Sequence, residues 1–261
     1  MRRHHAALIV ASAMLASPGF AATGLHLNWD RCIADGRVAN RAFACDTNAG
    51  SEVLVFSYDP ADEWTDRQGI EALVHIQSSS GVMPSWWQIQ SGGCRAGAVL
   101  FDPLPGVETS CVDPYEEGLV SGGYAGFRAD AIGPGSWVFG VGVAVPAQSV
   151  WTITPGNEYF AFRFVIRNVK TVAGCGGCDV PVCIGFGRAN FSSTTDGVNM
   201  WAGETGPGGG ESTVTWQGAY VNGYDSYRAS PSSDYARLDC LHDDSSPARS
   251  STWGAVKALY R

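Results

Sequence analysis

The chain has 261 residues and carries 25 acidic against 17 basic side chains, a formal net charge of −8. Its lysines are Lys170 and Lys257 alone and its arginines do not cluster, which argues against nucleic acid or an anionic membrane surface as partner. Thirty-three glycines and thirteen prolines break the sequence into short segments, a pattern of strands and turns rather than of helices.

The first 21 residues read as a secretory leader. Arg2 and Arg3 form a basic start, Ala6 to Ala16 an apolar core, and Gly19-Phe-Ala21 a small-residue cleavage site. Nothing later is a long enough apolar run to cross a membrane. Residues 22–261 are then expected as one domain in the periplasm, at the cell surface or in the medium. All eight cysteines lie in this part, and in an oxidising compartment they are expected as disulfides. Proximity in sequence suggests Cys32 with Cys45 and Cys94 with Cys111. Cys175 with Cys183 and Cys178 with Cys240 would complete the set.

In chain order, Leu25 to Trp29 opens as a short strand and Arg31 to Cys45 as a loop. Glu52 to Tyr58 is a strand. Ile70 to Gln77 alternates apolar with polar residues and predicts a half-buried strand, with His75 on its solvated side. Met83 to Ile89 carries Trp86 and Trp87, which in a strand would face opposite ways. Asp102 to Gly123 is mostly loop, and Phe127 to Ile132 fits either strand or helix. Trp137, Phe139, Val141, Val143 and Val145 share one strand face, with Gly140, Gly142 and Ala144 on the other. Gly in such positions leaves room for close approach of a neighbouring layer or loop.

The strongest strand spans Glu158 to Val169, where Phe160, Phe162, Phe164 and Ile166 recur at period 2. A turn through Cys175-Gly-Gly-Cys178 leads to the apolar run Val180 to Phe186. Ser192 to Gly210 reads as a glycine-rich loop around Trp201, Thr213 to Tyr220 as a strand, and Val221 to Ser251 as irregular. Thr252 to Tyr260 reads as a short helix or strap. The sum is an all-β fold, a two-layer antiparallel β-sandwich of jelly-roll or Ig-like type with long loops.

Few constellations point to chemistry. Cys175-x2-Cys178-x4-Cys183 has zinc-like spacing but lacks a nearby histidine, and its glycine-filled centre does not suit a redox motif. Asp46, Asn48 and Glu52 offer oxygen ligands at a spacing that suggests calcium, although the sixth and twelfth positions of an EF-hand loop are filled by Ser51 and Ser57. The ordinary alternative is an Asx turn. Apart from that calcium candidate, no cofactor is indicated. His26, His75 and His242 are the histidines after the leader, and no nucleophile elbow accompanies them. Asp59, Glu63, Asp113, Glu116, Glu117 and Asp130 are candidate glycosidase acids only if two of them face each other. Nine tryptophans, with Trp86, Trp87 and Trp201 foremost, suggest sugar stacking if exposed.

Several pieces resemble a group of exported bacterial proteins with no assigned activity. They are the ending Ser251-Thr-Trp-Gly-Ala-Val-Lys-Ala-Leu-Tyr-Arg261, the run Gly174 to Cys183, Phe43-Ala-Cys-Asp-Thr-Asn48 and Trp86-Trp-Gln88. The resemblance implies an exported bacterial source and brings no catalytic residues. The leading expectation is a non-enzymatic exported protein with a structural or binding role, its partner a glycan or an envelope component. The alternatives are a carbohydrate-binding module or jelly-roll glycosidase, and a calcium-binding domain.

Overall fold

A computed structural model describes residues 23–106, 109–115, 119–201, 211–225 and 237–242. The expected leader and the helix or strap expected over 252–260 lie outside them. Two antiparallel sheets pack face to face. The smaller has the order β1 (Gly24–Trp29), β3 (Ser51–Asp59), β10 (Tyr159–Arg167), β6 (Val99–Asp102). The larger runs β2 (Asn40–Arg41), β13 (Thr213–Trp216), β11 (Val182–Ser192), β5 (Gly69–Ser78), β8 (Ser136–Ala144), β7 (Ser121–Ala129), with β12 (Gly197–Trp201) also paired to β11. The short β2–β13 pair is parallel. Two ribbons complete the fold, β4 (Trp64–Arg67) with β9 (Trp151–Ile153) and β14 (Ala219–Asp225) with β15 (Arg237–His242).

The core lies between the layers and is aromatic. Phe56 of β3 stacks on Phe162 of β10 at 4.4 Å between ring centroids, and Phe186 of β11 meets Phe56 edge-on at 5.2 Å. Phe164 reaches across to Phe139 of β8. Ring pairs of this kind add to the burial of the rings themselves.

The predicted single face of β10 is interrupted. Phe162 pairs with Phe56, but a bulge at Ala161 puts Phe160 opposite Ser57. Neighbouring residues of a strand face opposite ways, so Phe160 points with Ser57 away from the aromatic core. It is buried nonetheless. His26, Asn28, Ser57 and Glu158 join it in a polar layer under the segment that follows β1. The Glu158 carboxylate accepts hydrogen bonds from the Ile33 and Ala34 amides and from the Ser57 hydroxyl. Asn28 donates to Cys32 and Gly36 carbonyls and accepts from the Val38 amide.

All eight cysteines are oxidised, but with none of the expected pairings. The bonds are Cys32–Cys111, Cys45–Cys178, Cys94–Cys175 and Cys183–Cys240. They span 57 to 133 residues of sequence because the sandwich brings distant segments together. In the chain-entropy view loops of that length stabilise by up to about 4 to 5 kcal/mol each.

Other differences are local. Ser85–Trp87 forms a 3-10 turn instead of a strand, and both tryptophans are buried. Part of the expected loop 192–210 is strand β12. The expected strand 213–220 breaks at Gln217-Gly218, and the region thought irregular supplies β14 and β15.

Phe162 is in contact with Phe56, Phe101, Phe164 and Phe186. Phe162→Ala is expected to cost about 3 to 5 kcal/mol, read as a lowered midpoint in urea unfolding of the oxidised protein.

Candidate functional site

Two of the three tryptophans first suspected of binding belong to the core. Trp86 and Trp87 are 0% and 2% exposed, so neither offers a face to a sugar. With Trp29 they surround Trp216, on which Trp86 stacks at 5.0 Å. The Arg95 guanidinium lies 3.5 Å from the centre of the Trp86 ring, on a fully buried side chain. It donates to the carbonyls of Trp86, Val169 and Arg167. Burial, and then Arg167, lower its pKa to about 10. The adjoining Cys175–Cys178 turn needs glycine at 177, where φ is +86° and a Cβ would lie 2.5 Å from Pro84. Trp201 ends β12 with its Cα opposite Arg188.

Asp46, Asn48 and Glu52 do not converge on a cation. The Asn48 amide both donates to and accepts from the backbone of Val172. Glu52 forms an ion pair with Arg41 at 3.1 Å, and Asp46 is exposed. Among the described residues, Cys32, Cys111 and Glu158 are the one close group of three candidate metal ligands. Their sulfurs are bonded to each other and the carboxylate is spent on amides. The zinc-like cysteines Cys175, Cys178 and Cys183 go to three different disulfides.

The suspected acids are dispersed. Asp113 and Asp130 accept from the nearby amides of Tyr115 and Gly135. Asp59 is buried and accepts from Gly156, burial raising its pKa. Glu63 is exposed, and Glu116 and Glu117 lie outside the described residues. His26 is buried beside Glu211 at 3.1 Å. His75, expected in solvent, is 1% exposed. The β14–β15 hairpin, fastened by Cys183–Cys240, packs against β5 and β11 on that outer side. Burial pushes the His75 pKa down to about 4.

Farther along that outer face the described residues leave a groove of about 700 Å3, within the usual range for ligand pockets. Register places Arg188, Leu73, Gly140 and Ala125 in one row across β11, β5, β8 and β7. Asn190, Glu71, Gly142 and Gly123 form the next. The floor is glycine, and Glu71, Leu73, Arg128 and Arg188 stand around it.

These floor glycines have no local justification. Gly123, Gly140 and Gly142 are not in the positive-φ region. A Cβ built on Gly123 or Gly142 would meet nothing within 4 Å, and on Gly140 only an ordinary contact of 3.8 Å. Gly122 is the contrast, since its Cβ would strike the Gly142 carbonyl at 2.3 Å. Strand glycine costs roughly 0.5 to 1 kcal/mol relative to alanine. What the three glycines provide is an empty floor that something else can approach closely. The pattern Gly140-x-Gly142 was visible in the sequence. Its partner Gly123 was not, because that segment read as loop.

Compared with known proteins, the chain matches no family model, no curated protein and no solved structure.

Two outcomes follow from this geometry. The folded chain holds His75 neutral down to about pH 4, whereas an unfolded histidine protonates near pH 6.5. Acidification through that window therefore favours the unfolded state by on the order of 2 to 3 kcal/mol. Urea unfolding at pH 7 and pH 4.5 should show a smaller loss of stability for His75→Gln than for the parent protein. For calcium, the melting temperature should be the same with added calcium as with chelator, since Asn48 and Glu52 are engaged elsewhere.

Proposed function

We propose that the protein is an exported, non-enzymatic β-sandwich with a binding role, and that the glycine-floored groove on the outer face of β5, β8 and β7 is its binding site. The observation that carries this reading is the set of strand glycines that neither backbone conformation nor packing requires. The four disulfides support an oxidising compartment, secreted or in the cell envelope. Among the described residues no helix is long and apolar enough to cross a membrane.

The carbohydrate alternative is favoured in its binding form. Glycoside hydrolysis in its usual form needs two carboxylates across the scissile bond. Among the described residues around the groove, Glu71 is the one acid. A shallow open site with a few planar polar side chains suits retention of a glycan better than its cleavage.

Gly142→Leu tests the reading, because its side chain enters open space and leaves the fold undisturbed. Glycan-array signals of the oxidised protein should fall at least tenfold in this variant, with the melting temperature unchanged or raised, since a strand glycine is removed. Equal signals for both proteins would place binding somewhere other than the groove.

A further inference from the structure

A sheet edge exposes unpaired backbone groups, and two edges of this sandwich treat them differently. β7 is the last strand of the large sheet and pairs there with β8 alone. The phase of its bonding follows from β8. The Ser78 amide donates to the Gly135 carbonyl and the Val145 amide to the Gln68 carbonyl, so the odd-numbered residues of β8 bond toward β5. The even-numbered ones bond toward β7, where Ala144, Gly142 and Gly140 lie opposite Ser121, Gly123 and Ala125. Gly122 and Tyr124 alternate with these three and aim both N–H and C=O out of the sheet. Among the described residues nothing meets those four groups.

The edge strand β1 of the small sheet is the contrast. Its outward amides at Leu27 and Trp29 donate to the carbonyls of Glu211 and Val38, and Arg37 donates to the Leu27 carbonyl. β7 lacks the usual protection of a bare edge. It is nine residues long without lysine or proline, and its bulge lies past Ala125, so Ser121 to Ala125 stays regular. Donors and acceptors repeating at strand spacing match an extended polypeptide backbone, which is the basis of strand addition.

The side chains of β7 describe the strand that fits. Ser121, Gly123 and Ala125 share the outer face, so an added strand has room there for bulky side chains. An aromatic side chain opposite a strand glycine is a favourable cross-strand pair. A second copy of the chain supplies none. The twofold pairing that uses both Gly122 and Tyr124 sets Gly123 against Gly123 and Ser121 against Ala125. It also brings together two chains of net charge −8, which repel.

We propose that the free edge of β7 takes an extended peptide segment of another protein, bulky at alternate positions, which joins the large sheet through backbone hydrogen bonds to Gly122 and Tyr124. This is a second interaction surface and does not depend on what the groove holds.

The experiment is amide hydrogen exchange by NMR on the oxidised protein, alone and with synthetic copies of dodecamers selected on it from a phage-displayed random library. In the free protein the Gly122 and Tyr124 amides should be protected at least tenfold less than those of Gly123 and Ala125. Selected peptides should carry bulky residues at alternate positions and slow exchange at Gly122 and Tyr124 at least tenfold. N-methylation of one alternate set of peptide amides should weaken binding at least tenfold, and of the other set less than twofold. Protection of Gly122 and Tyr124 in the free protein overturns the proposal, because the edge is then already covered, by a second copy if sedimentation shows a dimer. A library that yields no binder overturns it, as do binders that leave both amides exchanging freely or that respond equally to methylation of either set. Glycan binding by Gly142→Leu bears on the groove alone and leaves these outcomes untouched.

Discussion

The stack of Phe56 on Phe162, closed from the opposite layer by Phe186, sets the parity of the fold. A strand has only two faces, and a shift of one residue exchanges them. Once Phe139, Val141 and Val143 of β8 are turned toward the aromatic core, Gly140 and Gly142 have to face outward. The same logic places Leu73 and Glu71 beside them, because β5 buries Ala72, Val74 and Ile76. The groove is thus the reverse side of the core.

Both layers have outer faces, and each is covered in part. The segment after β1 lies over the small sheet, fixed by Asn28, Glu158 and the Cys32–Cys111 bond. The β14–β15 hairpin lies over one end of the large sheet, fixed by Cys183–Cys240. Covering buries polar groups as well, and among them the Glu158 carboxylate is met by two amides and the Ser57 hydroxyl. The groove is where the large sheet lacks such a cover among the described residues.

How much of this was legible in the sequence depended on whether a signal was local. Strands with strong alternation, such as β8 and β10, could be placed from their own residues. Oxidation of all eight cysteines was expected from their even number and the leader-like start, and all eight are in disulfides. Their pairing did not, because it depends on which distant segments the sandwich brings together, and sequence proximity was the wrong guide. Trp86 and Trp87 were misread for a similar reason. Period-2 reasoning assumes a strand, whereas a 3-10 turn directs both rings inward toward Trp216. His75 was assigned to solvent from its place in the alternation, correctly as to face and wrongly as to exposure, since a hairpin remote in sequence packs on that face. The Ala161 bulge turned Phe160 over without any mark in the spacing of the aromatics. Of the groove, the glycines of β8 were visible, but their joining with Gly123, Arg128 and Arg188 exists only in the register of four strands.

Arg95 has a consequence for how the sulfurs find one another. It follows Cys94 directly, and its guanidinium reaches the carbonyls of Arg167 and Val169. From the other side, Lys170 Nζ reaches the carbonyl of Cys94 at 2.7 Å, and the Cys175 amide donates to the carbonyl of Lys170. None of these contacts involves an oxidised thiol, yet together they bring Cys94 up to Cys175. Eight free thiols in one chain face on the order of a hundred complete arrangements. Arg95, seated on the Trp86 indole, and Lys170 hold Cys94 beside Cys175 through contacts that are separate from the sulfur bond itself.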